Sequence, residues 1–179
     1  MRRIWRVGRV RRWRYLRFVI AGGNGNDRSQ MNYKIPVSVL VVVYTPELEV
    51  LLLERADKPG FWQSVTGSQE PGETLEQTAI RELGEETGLD AARYRLDNWH
   101  MSNRFEIFKH WSGRYAPGTT HNTEHVFGLC LPEKVPVRIS PKEHLAYEWV
   151  ARKAAIDRVF SWTNAAVLRA LPEHVPGAG

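Results

Sequence analysis

Apolar residues lie along the chain in short runs that predict a β-sheet. Residues 37–44 are nearly continuous valine and leucine, and residues 50–53 form a second apolar run. Runs of this length and composition are typical of central strands. Further strands are predicted at residues 62–66, 94–101, 104–108, 124–131 and 146–150.

Between the third and fourth predicted strands, the apolar spacing changes to that of a helix. The apolar positions recur every four residues, at Leu75, Ala79 and Leu83. Thr74 followed by Gln77 is a capping box, which satisfies backbone donors that a first helical turn leaves free. Gly88 suits the left-handed conformation that ends many helices. A helix is therefore predicted at residues 75–87, and a second helical pattern occupies residues 163–171.

Strands combined with a central and a C-terminal helix point to a layered α/β domain. A chain of 179 residues with 42% hydrophobic content is long enough for one domain with its own core, and two domains are not expected. We therefore predict a single domain over residues 31–175, preceded by a basic extension over residues 1–30.

The charge is distributed unevenly and marks that extension. Residues 1–30 hold nine arginines and one aspartate, whereas residues 31–179 hold 16 basic and 19 acidic groups. Trp5, Trp13 and Tyr15 lie among the arginines. This composition is typical of a nucleic-acid-binding arm, since guanidinium groups bind phosphate and aromatic rings stack on bases.

Simpler interpretations of the extension are preferred. Residues 22–26 read as a flexible break, and Met31 directly precedes the first predicted strand, so translation can start at Met31. A disordered tail is the next alternative, and a mitochondrial presequence is a weaker one. A secretory signal is excluded because no long apolar core follows the arginines. We expect neither a nucleic-acid nor a membrane partner, and the sequence leaves the oligomeric state open.

The single Cys130 allows no disulfide within the chain, which fits a reducing cytoplasm. Residues 121–125 read His-Asn-Thr-Glu-His and match the inverted zinc-protease string. That string needs a helix to place both imidazoles on one face, whereas the residues that follow it resemble a strand. We interpret the match as a coincidence and predict no zinc site there.

The central helix carries three carboxylates at spacings of three and four, Glu82, Glu85 and Glu86. Such a cluster repels itself unless cations lie within it. Oxygen ligands of this kind suit Mg²⁺, with Mn²⁺ as the alternative. Arg81 lies four residues before Glu85 and can hold a carboxylate by bidentate pairing. The competing interpretation is a solvated helix face, because charge runs usually lie on the surface.

The segment around this cluster resembles the Nudix box at all nine of its defined positions. These positions are Gly67, Glu73, Arg81, Glu82, Leu83, Glu85, Glu86, Gly88 and Leu89. The resemblance implies an α/β/α sandwich with a mixed sheet, and a hydrolase that cuts a phosphoanhydride with metal and water. It also implies that Glu82 and Glu86 bind the metal, that Glu85 shares their shell, and that Glu82 activates the water.

Strings outside the box resemble a bacterial folate-pathway branch of this family and span most of residues 33–162. The resemblance implies hydrolysis of 7,8-dihydroneopterin 3′-triphosphate to the monophosphate and pyrophosphate. One alternative is a pyrophosphatase of the nucleotide pool that acts on dATP or on an oxidised nucleotide. Another is a non-catalytic Nudix module that binds nucleic acid through the basic extension.

The same resemblance assigns substrate contacts to residues that are far apart in the sequence. They are Lys34 and Arg55 for phosphate, Thr66 for a hydroxyl or backbone contact, Phe105, Glu106, Ile107 and Phe108 for the pterin pocket, and Ser161 for a distal contact. Glu143 would complete the metal shell and touch the substrate. Each assignment has an alternative: Phe105 and Phe108 could be core, since alternate strand residues bury one face. The two cations could be solvated, and Glu143 could cap a turn.

Overall fold

The computed structural model describes residues 33–175, and its centre is a seven-stranded mixed sheet. The strand order is β3-β2-β1-β6-β5; in addition β4 pairs with β1, and β7 pairs with β2. The β1–β6 pair is parallel and the other pairs are antiparallel. The strands are β1 Val37–Tyr44, β2 Glu49–Arg55, β3 Trp62–Gln63, β4 Val65–Ser68, β5 Arg95–Glu106, β6 His121–Cys130 and β7 His144–Ala151.

Helices cover both faces of this sheet. They are α1 Leu75–Thr87, α2 Arg152–Arg158 and α3 Trp162–Ala170. Ala79 and Leu83 of α1 pack in one apolar cluster with alternate residues of β1, including Val41. Ala155 of α2 and Leu168 of α3 belong to a second cluster, formed on the other face of the sheet. The predicted α/β/α sandwich with a mixed sheet is therefore confirmed.

The predicted central helix is confirmed to the residue. The Thr74 hydroxyl accepts a hydrogen bond from the Gln77 amide at 3.1 Å, and the Gln77 side chain accepts one from the Thr74 amide at 2.8 Å. Gly88 closes the helix with φ of 68°, in the left-handed region that favours glycine. Local capping chemistry specifies both ends of α1.

Several predicted strand boundaries are wrong. The strand predicted at residues 62–66 is broken at Ser64, whose amide donates to Asn164 Oδ1 at 2.8 Å and whose hydroxyl accepts from Asn164 Nδ2 at 2.9 Å. The strands predicted at 94–101 and 104–108 form one strand, β5, with a register shift between Asn98 and Ser102. Helix α2 was not predicted, because it has only seven residues and no side-chain cap.

Two other predictions concern the ends and the surface of the chain. The basic extension at residues 1–30 lies outside the described residues, and the domain boundary at residue 31 stays a prediction. Within residues 33–175, no helix is both long and apolar enough to cross a membrane. His121 to His125 form part of strand β6, so this segment lacks the helix that the zinc-protease string requires.

Candidate active site

One open cavity of about 760 Å³ brings together the residues predicted to act on the substrate. Its lining includes Glu82, Glu85 and Glu86 from α1, together with Lys34, Arg55, Thr66, Phe105, Glu106, Ile107, Phe108, Glu143 and Ser161. These residues come from four elements, α1, β2, β4 and β5, and from the segments that connect the elements. Arg81 is the one predicted site residue that is not part of this lining.

Arg81 lies behind the cavity and holds the carboxylates around it. Its Nε and Nη2 donate to the two oxygens of Glu73 at 2.6 and 3.0 Å, and Nη2 also donates to the Ser68 carbonyl at 3.0 Å. Its Nη1 donates to Glu82 at 2.7 Å and to Glu85 at 3.3 Å. Hydrogen bonding to Arg81 lowers the pKa of Glu73 to about 2. The guanidinium therefore ties the loop before α1 to the helix itself.

Gly67 explains why the box requires glycine at its first position. A Cβ atom built on Gly67 would lie 1.8 Å from both Cδ and Oε1 of Glu82. Any side chain at position 67 would therefore displace either Glu82 or strand β4. The glycine lets a sheet backbone approach a carboxylate closely, and this constraint comes from packing because its φ is not in the left-handed region.

Glu82 occupies an unfavourable electrostatic environment. Burial raises its pKa to about 7, and the charges of Glu86 and Glu85 add to that effect, while Arg81 opposes it. A buried carboxylate beside two others is costly to ionise unless a cation joins the cluster. The competing interpretation of a wholly solvated helix face is wrong for Glu82 and Glu86, because both are buried.

Glu86 lies beside two groups from the start of β7. Glu86 is 5% exposed, and its Oε2 lies 3.2 Å from Nε2 of the buried His144. Neither atom has an aligned hydrogen-bond partner in the described part of the chain, so the contact is a close approach and not a formed hydrogen bond. Ligand atoms of Glu86, Glu143 and His144 all lie within 4.8 Å of one another. Unpaired buried oxygen and clustered carboxylates fit a divalent cation at this end of the cavity.

The two predicted phosphate-binding cations have different surroundings. Lys34 Nζ donates to Ser68 Oγ at 3.3 Å, and burial together with the nearby Arg114 lowers its pKa. Arg55 is held by Asp57 through two hydrogen bonds of 2.8 and 2.7 Å, and it donates to Gln63 at 2.9 Å. Arg55 already has the carboxylate of Asp57 as a partner, which reduces the net positive charge that this pair presents to a ligand. Lys34 is therefore the more available of the two cations for phosphate.

Thr66 and Ser161 line the cavity while making structural contacts. The Thr66 hydroxyl accepts a hydrogen bond from the Gln63 side chain at 3.1 Å. Ser161 is the N-cap of α3, and its hydroxyl accepts from the Asn164 amide at 3.1 Å. Its hydroxyl also lies 2.7 Å from that of Thr163. Any contact of Ser161 with a ligand would therefore compete with, or add to, its capping bond.

The end of β5 and the residues that follow it form an aromatic wall of the cavity, made of Phe105, Ile107, Phe108 and Trp111. Phe108 is 54% exposed, so its alternative assignment as core is wrong, whereas Phe105 is half-buried. Ile107 is buried and its amide donates to the Thr120 carbonyl at 2.8 Å. Phe108 also meets Trp111 edge to face, with ring centroids 5.4 Å apart. Aromatic faces of this kind suit a flat heterocycle.

Several further lining residues were not identified from the sequence as site residues, among them Arg114, Glu124 and His144. Arg114 and His144 lie in segments whose pattern shows only a loop and a strand start. The sequence did contain a signal for Glu124, because it is an acidic residue at the start of an apolar strand. In the structure it is buried on the α3 side of the sheet, next to the aromatic wall.

Comparisons with known proteins agree on one family. A family model described as the NUDIX domain matches residues 34–171. The dihydroneopterin triphosphate diphosphatase of Escherichia coli strain K12 is 48% identical over 135 residues, which are 74% of this chain and 89% of that protein. Its namesake from Haemophilus influenzae is 46% identical over 144 residues, with 78% and 89% covered. The solved E. coli dihydroneopterin triphosphate pyrophosphohydrolase superposes with a TM-score of 0.71 at 45% identity, covering 80% of this chain and 97% of that one.

Proposed function

This chain belongs to the Nudix family of hydrolases, and from that premise we propose that its substrate is 7,8-dihydroneopterin 3′-triphosphate. The products would be the monophosphate and pyrophosphate, a step of folate synthesis. The proposal is supported by the identity of about 46–48% to two dihydroneopterin triphosphate diphosphatases over most of the chain.

The observation that carries the proposal is that one cavity has two chemically different ends. The carboxylates of α1 and Glu143 line one part of it, and Phe105 and Phe108 line another. A volume of about 760 Å³ is within the usual range for pockets that hold a small ligand. A flat ring joined to a polyphosphate has this same division between an apolar part and an anionic part.

A divalent cation fits the carboxylate end, and we propose Mg²⁺ because hard oxygen ligands predominate there. Glu82, Glu86 and Glu143 would hold it, with Glu85 at the exposed edge of the same cluster. When bound, such a cation supplies positive charge against the polyphosphate and acidifies water. Among the described residues, the buried Oε2 of Glu86 has no aligned hydrogen-bond partner, and this observation supports a cation at that position.

The remaining roles belong to side chains of this chain. Glu82 would take the proton of the water that attacks phosphorus, since it reaches into the cavity from beside Gly67. Arg81 would position Glu82, to which it donates at 2.7 Å. Lys34 would offset phosphate charge, because its ammonium group faces the cavity and its hydrogen-bond partner among the described residues is the Ser68 hydroxyl.

Parallel kinetics on several triphosphates would test the proposal. We expect the highest kcat/KM for dihydroneopterin triphosphate, with pyrophosphate and the monophosphate as products. Glu86→Gln, prepared in the same way, controls for a contaminating phosphatase. A clear preference for dATP would replace the proposal with the nucleotide-pool alternative. Release of orthophosphate as the first product would contradict both, because each is a pyrophosphatase.

A further inference from the structure

We propose that Glu124 is a specificity-determining residue, whose carboxylate accepts two hydrogen bonds from the N3–H and 2-amino group of the pterin ring. This inference deepens the proposed function and rests on it. Glu124 lies outside the Nudix box and is not one of the carboxylates grouped around a candidate cation among residues 33–175. Its position, its burial and the unpartnered state of its Oε1 among the described residues all point to a ligand.

Strand register places Glu124 beside the aromatic wall. On the β5–β6 ladder, Asn103 is opposite Glu124, and Phe105 is opposite Asn122. Paired residues on neighbouring strands share a face of the sheet, and so do alternate residues of one strand. Glu124 and Phe105 therefore point to the same side, and both line the cavity. A ring packed against Phe105 would present an edge toward Glu124.

Glu124 is buried without a charge to balance it. The residue is 6% exposed, and its Oε1 is a buried atom with no hydrogen-bond partner among residues 33–175. Within the described part of the chain, no lysine, arginine or histidine forms an ion pair with it. Native proteins rarely leave such a group unsatisfied, so the missing donors are expected from a ligand.

The polar neighbours of Glu124 are occupied elsewhere or poorly aligned. Thr163 shares its hydroxyl with Ser161 at 2.7 Å, and the Asn122 amide donates to Ser38 at 2.7 Å. Asn103 Nδ2 lies close enough to Glu124 to lower its pKa, but it has no aligned hydrogen-bond partner among the described residues. These side chains surround the carboxylate but do not use all of its acceptor positions. The carboxylate can therefore accept two parallel hydrogen bonds from a ligand.

The chemistry of a carboxylate selects one kind of ring edge. An ionised carboxylate only accepts hydrogen bonds, and its two oxygens match a pair of parallel donors. A 2-amino-4-oxo ring offers such a pair, in pterin and in guanine alike. Adenine offers one donor, and the ring nitrogen beside that donor is an acceptor. The lone pair of this nitrogen would face a lone pair of the carboxylate oxygen, and the two would repel each other. Sites built to hydrogen-bond a donor reject analogues that lack it.

A substitution with a matched substrate pair tests this assignment. Glu124→Gln keeps the shape of the side chain but replaces one acceptor with a donor, which suits adenine. We would measure kcat/KM for dihydroneopterin triphosphate, dGTP and dATP, all with the same metal. The ratio of dGTP to dATP should fall by roughly 10- to 100-fold, the discrimination typical of one bidentate pair. The ratio of the pterin substrate to dATP should fall by a similar factor.

Controls separate the possible failures. Glu124→Asp keeps the carboxylate and should retain the preference for the 2-amino-4-oxo rings, which guards against a folding defect in the Gln variant. Glu133→Gln changes an exposed carboxylate outside the cavity and should leave both ratios unchanged. Equal losses on all three substrates, or unchanged ratios, would overturn the inference. A wild-type protein inactive on the pterin substrate would refute the proposed function, while the dGTP-to-dATP ratio would still decide the role of Glu124.

Discussion

The burial of Glu124 leads to a stability prediction that is independent of catalysis. Burial raises the pKa of Glu124 from its ordinary value of 4.5 to about 7, against the smaller opposing effects of Thr163 and Asn103. The folded protein therefore disfavours the ionised carboxylate more than the unfolded chain does. By linkage, such a difference is worth about 3 kcal/mol once Glu124 is fully ionised.

The sign of the effect depends on pH. Below about pH 4.5 the carboxyl is protonated in both states, and Glu124 carries no penalty. As pH rises from 4.5 toward 7, the unfolded chain releases its proton first, so wild-type stability falls. Above about pH 7 the penalty is complete and stays constant. Glu124→Gln is neutral throughout and avoids it.

We therefore expect Glu124→Gln to be more stable than wild type by about 2 to 3 kcal/mol at pH 8, and by almost nothing at pH 4.5. The difference at pH 8 corresponds to a rise in Tm of roughly 5 to 10 °C for a chain of this size. Urea denaturation with EDTA and without substrate would measure it at both pH values. Other titrating groups are common to both proteins and cancel in the comparison.

Glu133→Gln is the matched control, because it alters an exposed carboxylate and should change stability by less than about 0.5 kcal/mol. A difference between wild type and Glu124→Gln that is the same at pH 4.5 and pH 8 would refute the reasoning. Greater wild-type stability at pH 8 would refute it as well. A stabilised variant with poorer selectivity would show that this buried charge serves binding at the expense of stability.

Three further substitutions probe the rest of the cavity. Glu86→Gln should lower kcat by orders of magnitude, because a proposed metal ligand loses its charge, while circular dichroism should show a retained fold. Near wild-type rates in saturating Mg²⁺ would show that Glu86 is not a metal ligand. Gly67→Ala should lower kcat at least about 100-fold, since the new methyl group collides with Glu82, and an unchanged kcat would contradict that collision. Phe105→Ala should reduce kcat/KM for the pterin substrate about tenfold more than for dATP, whereas equal losses would indicate a purely structural role.

The central helix shows how far local chemistry can be predicted. Its start at Thr74 and its end at Gly88 depend on hydrogen bonds between residues a few positions apart, so the sequence pattern specifies them. The break at Ser64 could not be predicted in the same way. It depends on Asn164, which is 100 positions away and joins Ser64 only after α3 has packed on the sheet.

The sequence by itself determined the family and the phosphate chemistry, because the Nudix box is contiguous and its helix brings Glu82, Glu85 and Glu86 together at fixed spacing. Only the tertiary structure decided that His144 lies against Glu86, and that Glu124 lies buried beside the aromatic wall. The burial of a side chain and its hydrogen-bond partners depend on how the elements pack together. That packing exists only when strands distant in sequence lie side by side.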